Sequence, residues 1–236
     1  MMFLNADEKK YTIILVFCAV INCMGLLITT SRISLISALV ACLYCIYFTD
    51  KRSVNYGKLA FIVLVSVFFV YMMNNSKGEI LVDRFQNAVD QTNIAIHGDV
   101  RNFGSHRVYI YENIIKLIYE SKKIAFVGVG PDCLMYYYSS SEEEVNKYPE
   151  SANYTADKAH SDLIEYAATM GIPSLIFYSC FVLSILLPWF KKIKTASLEK
   201  KAIFAGWLGY LIQSMFNTPS IGVVIIFFVF SAILDG

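Results

Sequence analysis

At 236 residues the chain is 56% hydrophobic and 15% aromatic but only 17% charged, a balance that excludes an ordinary soluble domain and points to a membrane protein. Its net charge of +1 leaves no surplus of cations to displace counterions from phosphates, which argues against a nucleic-acid partner. Cys18, Cys23, Cys42, Cys45 and Cys180 fall inside apolar runs, where they act as small hydrophobes, and Cys133 stands alone, so no disulfide framework follows. Cys42 and Cys45 have a CxxC spacing, yet no second pair or matching histidine completes a zinc site.

After a polar start ending in Lys9 and Lys10, residues 11–28 form an uncharged run of about one bilayer thickness and predict a first membrane helix. The run exceeds the hydrophobic stretch of a signal peptide. Residues 33–48 predict a second helix, with the hydroxyls of Thr29, Thr30 and Ser31 capping its first turn and Arg32 near the membrane surface. A charged connector from Asp50 to Lys58 leads to a third helix over 59–73, and a polar interlude, 74–160, carries all three histidines. Residues 161–190 predict a fourth helix that starts at the interface and is broken or kinked at Gly171 and Pro173. A fifth covers 202–217, the turn Thr218, Pro219, Ser220 interrupts, and a sixth covers 221–234. The expected fold is all-α, with about six transmembrane helices and a long loop carrying amphipathic helices. It divides into a membrane segment 1–73, the loop 74–160 and a second membrane segment 161–236.

The connectors allow an orientation test. A cytoplasmic N-terminus puts Lys9, Lys10, Lys51, Arg52, Lys58, Lys191, Lys192, Lys194, Lys200 and Lys201 inside, and leaves Arg32 alone in the short external turns. That asymmetry satisfies the positive-inside rule, so the 74–160 loop is expected outside, on the same side as Arg32.

Within the loop, 80–96 is weakly amphipathic and 98–104 is turn-rich. From Arg107 onwards, Val108, Tyr111, Ile114, Ile115, Ile118 and Tyr119 recur at three- and four-residue spacings and predict a helix lying along the membrane surface or against the membrane helices. Gly128 and Gly130 form a GxG without the third glycine or the acidic partner of a dinucleotide fold, so a tight backbone turn is expected there. Residues 136–149, with a tyrosine run and three successive glutamates, read as a solvated loop.

The topology gathers three residues on one side: Arg32 at a helix start, Arg107 at the start of the loop helix and His160 at the start of helix four. Taken singly, Arg32 marks a membrane boundary, Arg107 pairs with the Asp99 region or lipid phosphate, and His160 caps a helix. Jointly they suit one task. Guanidiniums bind phosphate bidentately and hold their charge, and an imidazole that titrates near neutral pH takes a proton from an attacking hydroxyl. The chemistry expected is group transfer from a lipid diphosphate.

Several short motifs carry a family resemblance. Thr30-Ser31-Arg32-Ile33-Ser34 precedes a membrane helix, and Gly104-Ser105-His106-Arg107 leads into an aromatic-rich helix. Phe126-Val127-Gly128-Val129-Gly130 follows, then Ala159-His160-Ser161-Asp162-Leu163-Ile164-Glu165 with Gly171-Ile172 after it. In order and spacing these resemble the O-antigen ligase and polymerase superfamily over residues 25–235. The resemblance implies a bacterial inner-membrane glycosyltransferase, multi-pass with its long loop external. Such an enzyme passes a glycan from an undecaprenyl-diphosphate carrier to an acceptor hydroxyl on polysaccharide or lipid, using neither a metal nor another cofactor. It also implies that Arg32 and Arg107 bind the diphosphate and that His160 is the catalytic base; Ser161, whose hydroxyl can orient His160, and Glu165 are expected to contribute to substrate binding. The family often has Asn where Ser161 stands, and its members have around ten to twelve spans, so the chain corresponds to their C-terminal half and a missing N-terminal half is an expected partner. A competing reading is a non-catalytic membrane component that binds glycan or another protein through its external loop. A transporter is disfavoured, because no intramembrane acidic or basic residue marks a conducting path in the six spans.

Overall fold

The computed structural model describes residues 17–26, 31–48, 107–137, 157–218 and 221–236, with isolated positions between 57 and 86. Among the described residues the regular structure is entirely helical: α1 (Phe17–Leu26), α2 (Arg32–Phe48), α3 (Arg107–Glu120), α4 (Lys122–Val127), α5 (Leu134–Tyr137), α6 (Asp162–Met170), α7 (Ile172–Lys192), α8 (Leu198–Ser214) and α9 (Ile221–Asp235). Most of the expected third membrane helix, of the amphipathic stretch 80–96 and of the solvated loop 136–149, and all of the turn 98–104, lie outside the described residues; the isolated positions described within 59–73 are helical. Of the described helices, α7 alone is long and apolar enough to cross a membrane, with 21 residues and a mean hydropathy of 1.8. At 1.5 Å per residue it reaches about 31 Å, the thickness of a bilayer core. The apolar helices α1, α2 and α9 are shorter than a full span.

Local sequence explains most helix limits. Ser31 caps α2, its Oγ accepting from Ser34 N–H at 3.4 Å, and Ser197 does the same for α8 through Lys200 N–H. That cap, with Glu199 in the first turn, starts α8 four residues before the expected Ala202. The expected fourth helix is two helices, broken at Gly171, whose φ of +86° is open to glycine at little cost. Pro173 makes no break. It sits in the first turn of α7, where a backbone N–H has no intrahelical acceptor to lose. Pro188 lies inside α7, and the helix continues past it to Lys192.

Contacts group the chain into two units. One holds α1, α2, the end of α7 from Leu187, most of α8, and α9. Its interior is a ladder of rings: Trp189 stacks on Phe204 at 4.5 Å between centroids, Phe204 on Trp207 at 5.6 Å, and Trp207 on Phe227 at 5.4 Å. The indole N–H groups are satisfied. Trp189 donates to Tyr44 Oη at 3.0 Å and Trp207 to Ser231 Oγ at 2.8 Å, so the end of α7 is tied to α2, and α8 to α9, by polar bonds as well as by ring contacts. Gly209 of α8 faces α2, and a Cβ added there would reach Ala41 at 3.5 Å and the Ser37 carbonyl at 3.6 Å, ordinary contact distances, so this approach does not depend on glycine. The outward faces carry Leu39 and Leu43 on α2 and Ile225 and Val229 on α9, all exposed, the pattern of helices that face lipid.

The second unit runs from Val89 to Leu186 and adds Ser214 to Ile221. Here α6 packs on α3 and α4, and α3 packs on α4. The core is Tyr109, Ile110, Ile114, Leu134, Ala159 and Ala168. The expected apolar stripe of α3 is therefore rotated. Ile110 and Ile114, one turn apart, are completely buried, whereas Ile115 and Tyr119 are exposed, because α3 is apolar on two sides and α6 selects one.

Candidate functional site

The site grows from the short stretch 157–161 that leads into α6. Gly128 and Gly130 form the expected tight turn, with φ of +79° and +103°. That turn hydrogen-bonds to the C-terminal end of α6, Val129 N–H to Ala168 O and Gly130 N–H to Thr169 O, each at 2.9 Å. The crossing is close enough that Gly128 lies against the main chain of Thr169, and Gly171 against that of Phe126. The α6 helix is thereby held at its far end, and its near end presents His160.

His160 stands just before the N-cap Ser161 with φ of +53°, a left-handed conformation that a non-glycine residue adopts only when its surroundings impose it. Two bonds supply that constraint. Tyr111 Oη, from α3, donates to the His160 carbonyl at 3.1 Å. Glu165 Oε2 reaches back one turn to accept from Ala159 N–H at 2.6 Å, much as a capping-box carboxylate does. Asp162 and Glu165 also place negative charge in the first turn of α6, where the helix dipole favours it.

The other wall is the turn after α8. Arg107 Nη1 donates to the Phe216 carbonyl at 2.5 Å, and Arg107 Nη2 donates to Asn217 Oδ1 at 3.2 Å. The next residue, Thr218, brings its Oγ1 to 3.0 Å from His160 Nδ1. Arg107 and His160 are thus fastened to consecutive residues of one turn, across sequence separations of 109 and 58 residues.

Electrostatics follow from this arrangement. Burial, and then the Arg107 charge, hold the His160 imidazole below its ordinary value, with Asp157 opposing, so the ring is neutral at pH 7. Burial raises the Asp162 carboxyl to about 6, against a bond from the Ser214 hydroxyl that lowers it. Burial also raises Glu165, offset by the Ala159 N–H and Lys158. Asp162 and Glu165 border a cavity of about 210 Å³ that Asp132, Lys158 and Tyr166 also line.

Of the sequence-predicted residues, Arg107 and His160 come together and Glu165 sits one turn away, bonded beside His160. Arg107 uses two of its five N–H donors on the 216–217 turn, a partner the sequence did not suggest. Ser161 is buried as the N-cap without a side-chain cap bond, and the hydroxyl at the imidazole is that of Thr218. Arg32 begins α2, and its side chain lies outside the described residues. Asn217 and Thr218 were missed. The one available signal was topological, since the turn between helices five and six was expected on the same side as His160.

Among curated proteins, none matches the chain. A family model described as O-Antigen ligase matches residues 17–179, well over half of the sequence, and the protein belongs to the O-antigen ligase family.

Proposed function

We propose that this protein is a glycosyltransferase of the bacterial cytoplasmic membrane that moves a glycan from an undecaprenyl-diphosphate carrier to an acceptor hydroxyl in surface polysaccharide assembly. Membership of the family carries a ligase- or polymerase-type membrane function. An acceptor oxygen attacks the anomeric carbon while its proton passes to His160, and the bond from that carbon to the diphosphate breaks with inversion. The negative charge that collects on the departing diphosphate meets the guanidinium of Arg107, joined in this reading by Arg32. Glu165 and Ser161 contribute to substrate binding, Glu165 from the rim of the polar cavity.

The observation that carries the reading is that Arg107 and His160 are anchored to one turn, Phe216-Asn217-Thr218. A fixed cation beside a neutral imidazole is what group transfer from a diphosphate requires: one to stabilise the leaving charge, one to accept a proton at neutral pH. In a complemented strain, His160→Ala and Arg107→Ala are expected to abolish surface polysaccharide while the protein stays in the membrane and lipid-linked glycan accumulates. Normal polymer length and amount in both variants would end this reading.

A further inference from the structure

We infer that Thr218 is the positioning residue of this site, its hydroxyl accepting from His160 Nδ1–H and so leaving Nε2 as the basic nitrogen. The inference rests on the reading of His160 as the base.

The main chain of His160 is held from both sides, by Tyr111 on its carbonyl and by Glu165 on the preceding N–H. What those bonds leave undetermined is the rotation of the ring and which nitrogen carries the proton. Thr218 Oγ1, 3.0 Å from Nδ1, acts on both. A hydroxyl donates or accepts, and a neutral imidazole has one N–H and one lone pair. If Thr218 donated, Nε2 would carry the proton and present no lone pair to an attacking hydroxyl. If it accepts, Nε2 is the base. With Nδ1 occupied by Thr218, the second arrangement is the one compatible with proton abstraction.

The support is rigid. Thr218 precedes Pro219, whose ring restricts the backbone of the residue before it. The two residues before Thr218 are held by Arg107, so the guanidinium that meets the diphosphate also braces the turn that orients the base. Asn217 shares this role through its side-chain oxygen.

The test uses the full chain in lipid bilayers with ¹⁵N-labelled histidine, the His160 signals being distinguished from those of His97 and His106 by the variant His160→Gln. The wild-type ring is expected with its proton on Nδ1. Thr218→Val keeps the side-chain shape, removes the hydroxyl, and is expected to shift the tautomer ratio about fivefold towards Nε2–H, the change that loss of one hydrogen bond gives. Thr218→Ser is expected to restore the wild-type spectrum. In cells, Thr218→Val lowers surface polysaccharide without lowering the amount of protein in the membrane, and Thr218→Ser recovers it. A wild-type ring protonated on Nε2, or a Thr218→Val spectrum identical to wild type, overturns the inference. Expected spectra combined with normal polymer in His160→Ala would leave Thr218 as the partner of Nδ1 and remove the catalytic reading alone.

Discussion

Alanine at Gly128 or Gly171 probes the crossing that holds α6. Both glycines have φ near +80° with ψ near 180°, a region essentially confined to glycine, where a Cβ costs roughly 1–2 kcal/mol. The added carbon at Gly128 would overlap the main chain of Thr169 and Met170, and at Gly171 it would overlap that of Phe126. Backbone cannot swing aside as a side-chain tip does, so the two segments must separate. In Gly128→Ala the bonds from Val129 and Gly130 to α6 would then be lost, each contributing about 1 kcal/mol. Conformational cost and lost bonds together come to about 3–4 kcal/mol, a large fraction of the roughly 5–15 kcal/mol that stabilises a folded protein. For a chain of this size that corresponds to a fall of roughly 6–16 °C in Tm. Gly25 and Gly222 are the controls, both helical, with nothing within 4 Å of an added Cβ. Alanine there is expected to be neutral or to stabilise by up to about 1 kcal/mol. The assay is thermal denaturation of the detergent-solubilised full chain, followed by size-exclusion of a fluorescent fusion. Midpoints equal to wild type in both Gly128→Ala and Gly171→Ala would refute the close crossing.

Three further outcomes are expected. Because the His160 pKa is lowered, the acid limb of transferase activity should fall below pH 6.5, and its contribution to stability should be present above 6.5 and lost as pH falls through the folded value; Arg107→Gln should move any residual limb upward, and an unmoved limb would show that the guanidinium does not act on the ring. Asp162 has the opposite sign: raised from 3.8 to about 6, it contributes stability below 3.8 that is lost as pH rises through 6. Asp162→Asn should flatten that part of the stability profile without lowering Tm at pH 7, and a retained slope would assign the titration elsewhere. Ile114→Ala, which empties a fully buried position between α3 and its neighbours, should cost about 2–5 kcal/mol, whereas Ile115→Ala on the exposed side should cost far less, a contrast readable in the same thermal assay.

Much of the architecture was legible because it follows from periodicity and composition. Apolar runs marked the helices, and Arg107 opened α3 where the spacing predicted. The Gly128–Gly130 turn could be read because glycine's permissiveness is a local property. The exact burial of α3 could not, since Ile110, Ile114, Ile115 and Ile118 are equally apolar and the choice of face belongs to the partner helix. The short α4 carries too few residues for a period to register, and the break at Gly171 was read together with Pro173 because sequence alone does not say which of them ends α6.

The site divides in the same way. The chemistry of Arg107, His160 and Glu165 is intrinsic to their side chains, and the distribution of lysines and arginines led to the expectation that they share one side of the membrane. Their partners were decided by tertiary structure alone. Arg107 meets Phe216 and Asn217, and His160 meets Thr218, across separations over which no local rule operates. A hydrogen bond formed 109 residues away leaves no trace in local pattern. It exists because the folded second unit brings α3, the start of α6 and the turn after α8 together, and that packing also half-buries His160, favours its neutral ring and gives the imidazole a hydroxyl to face.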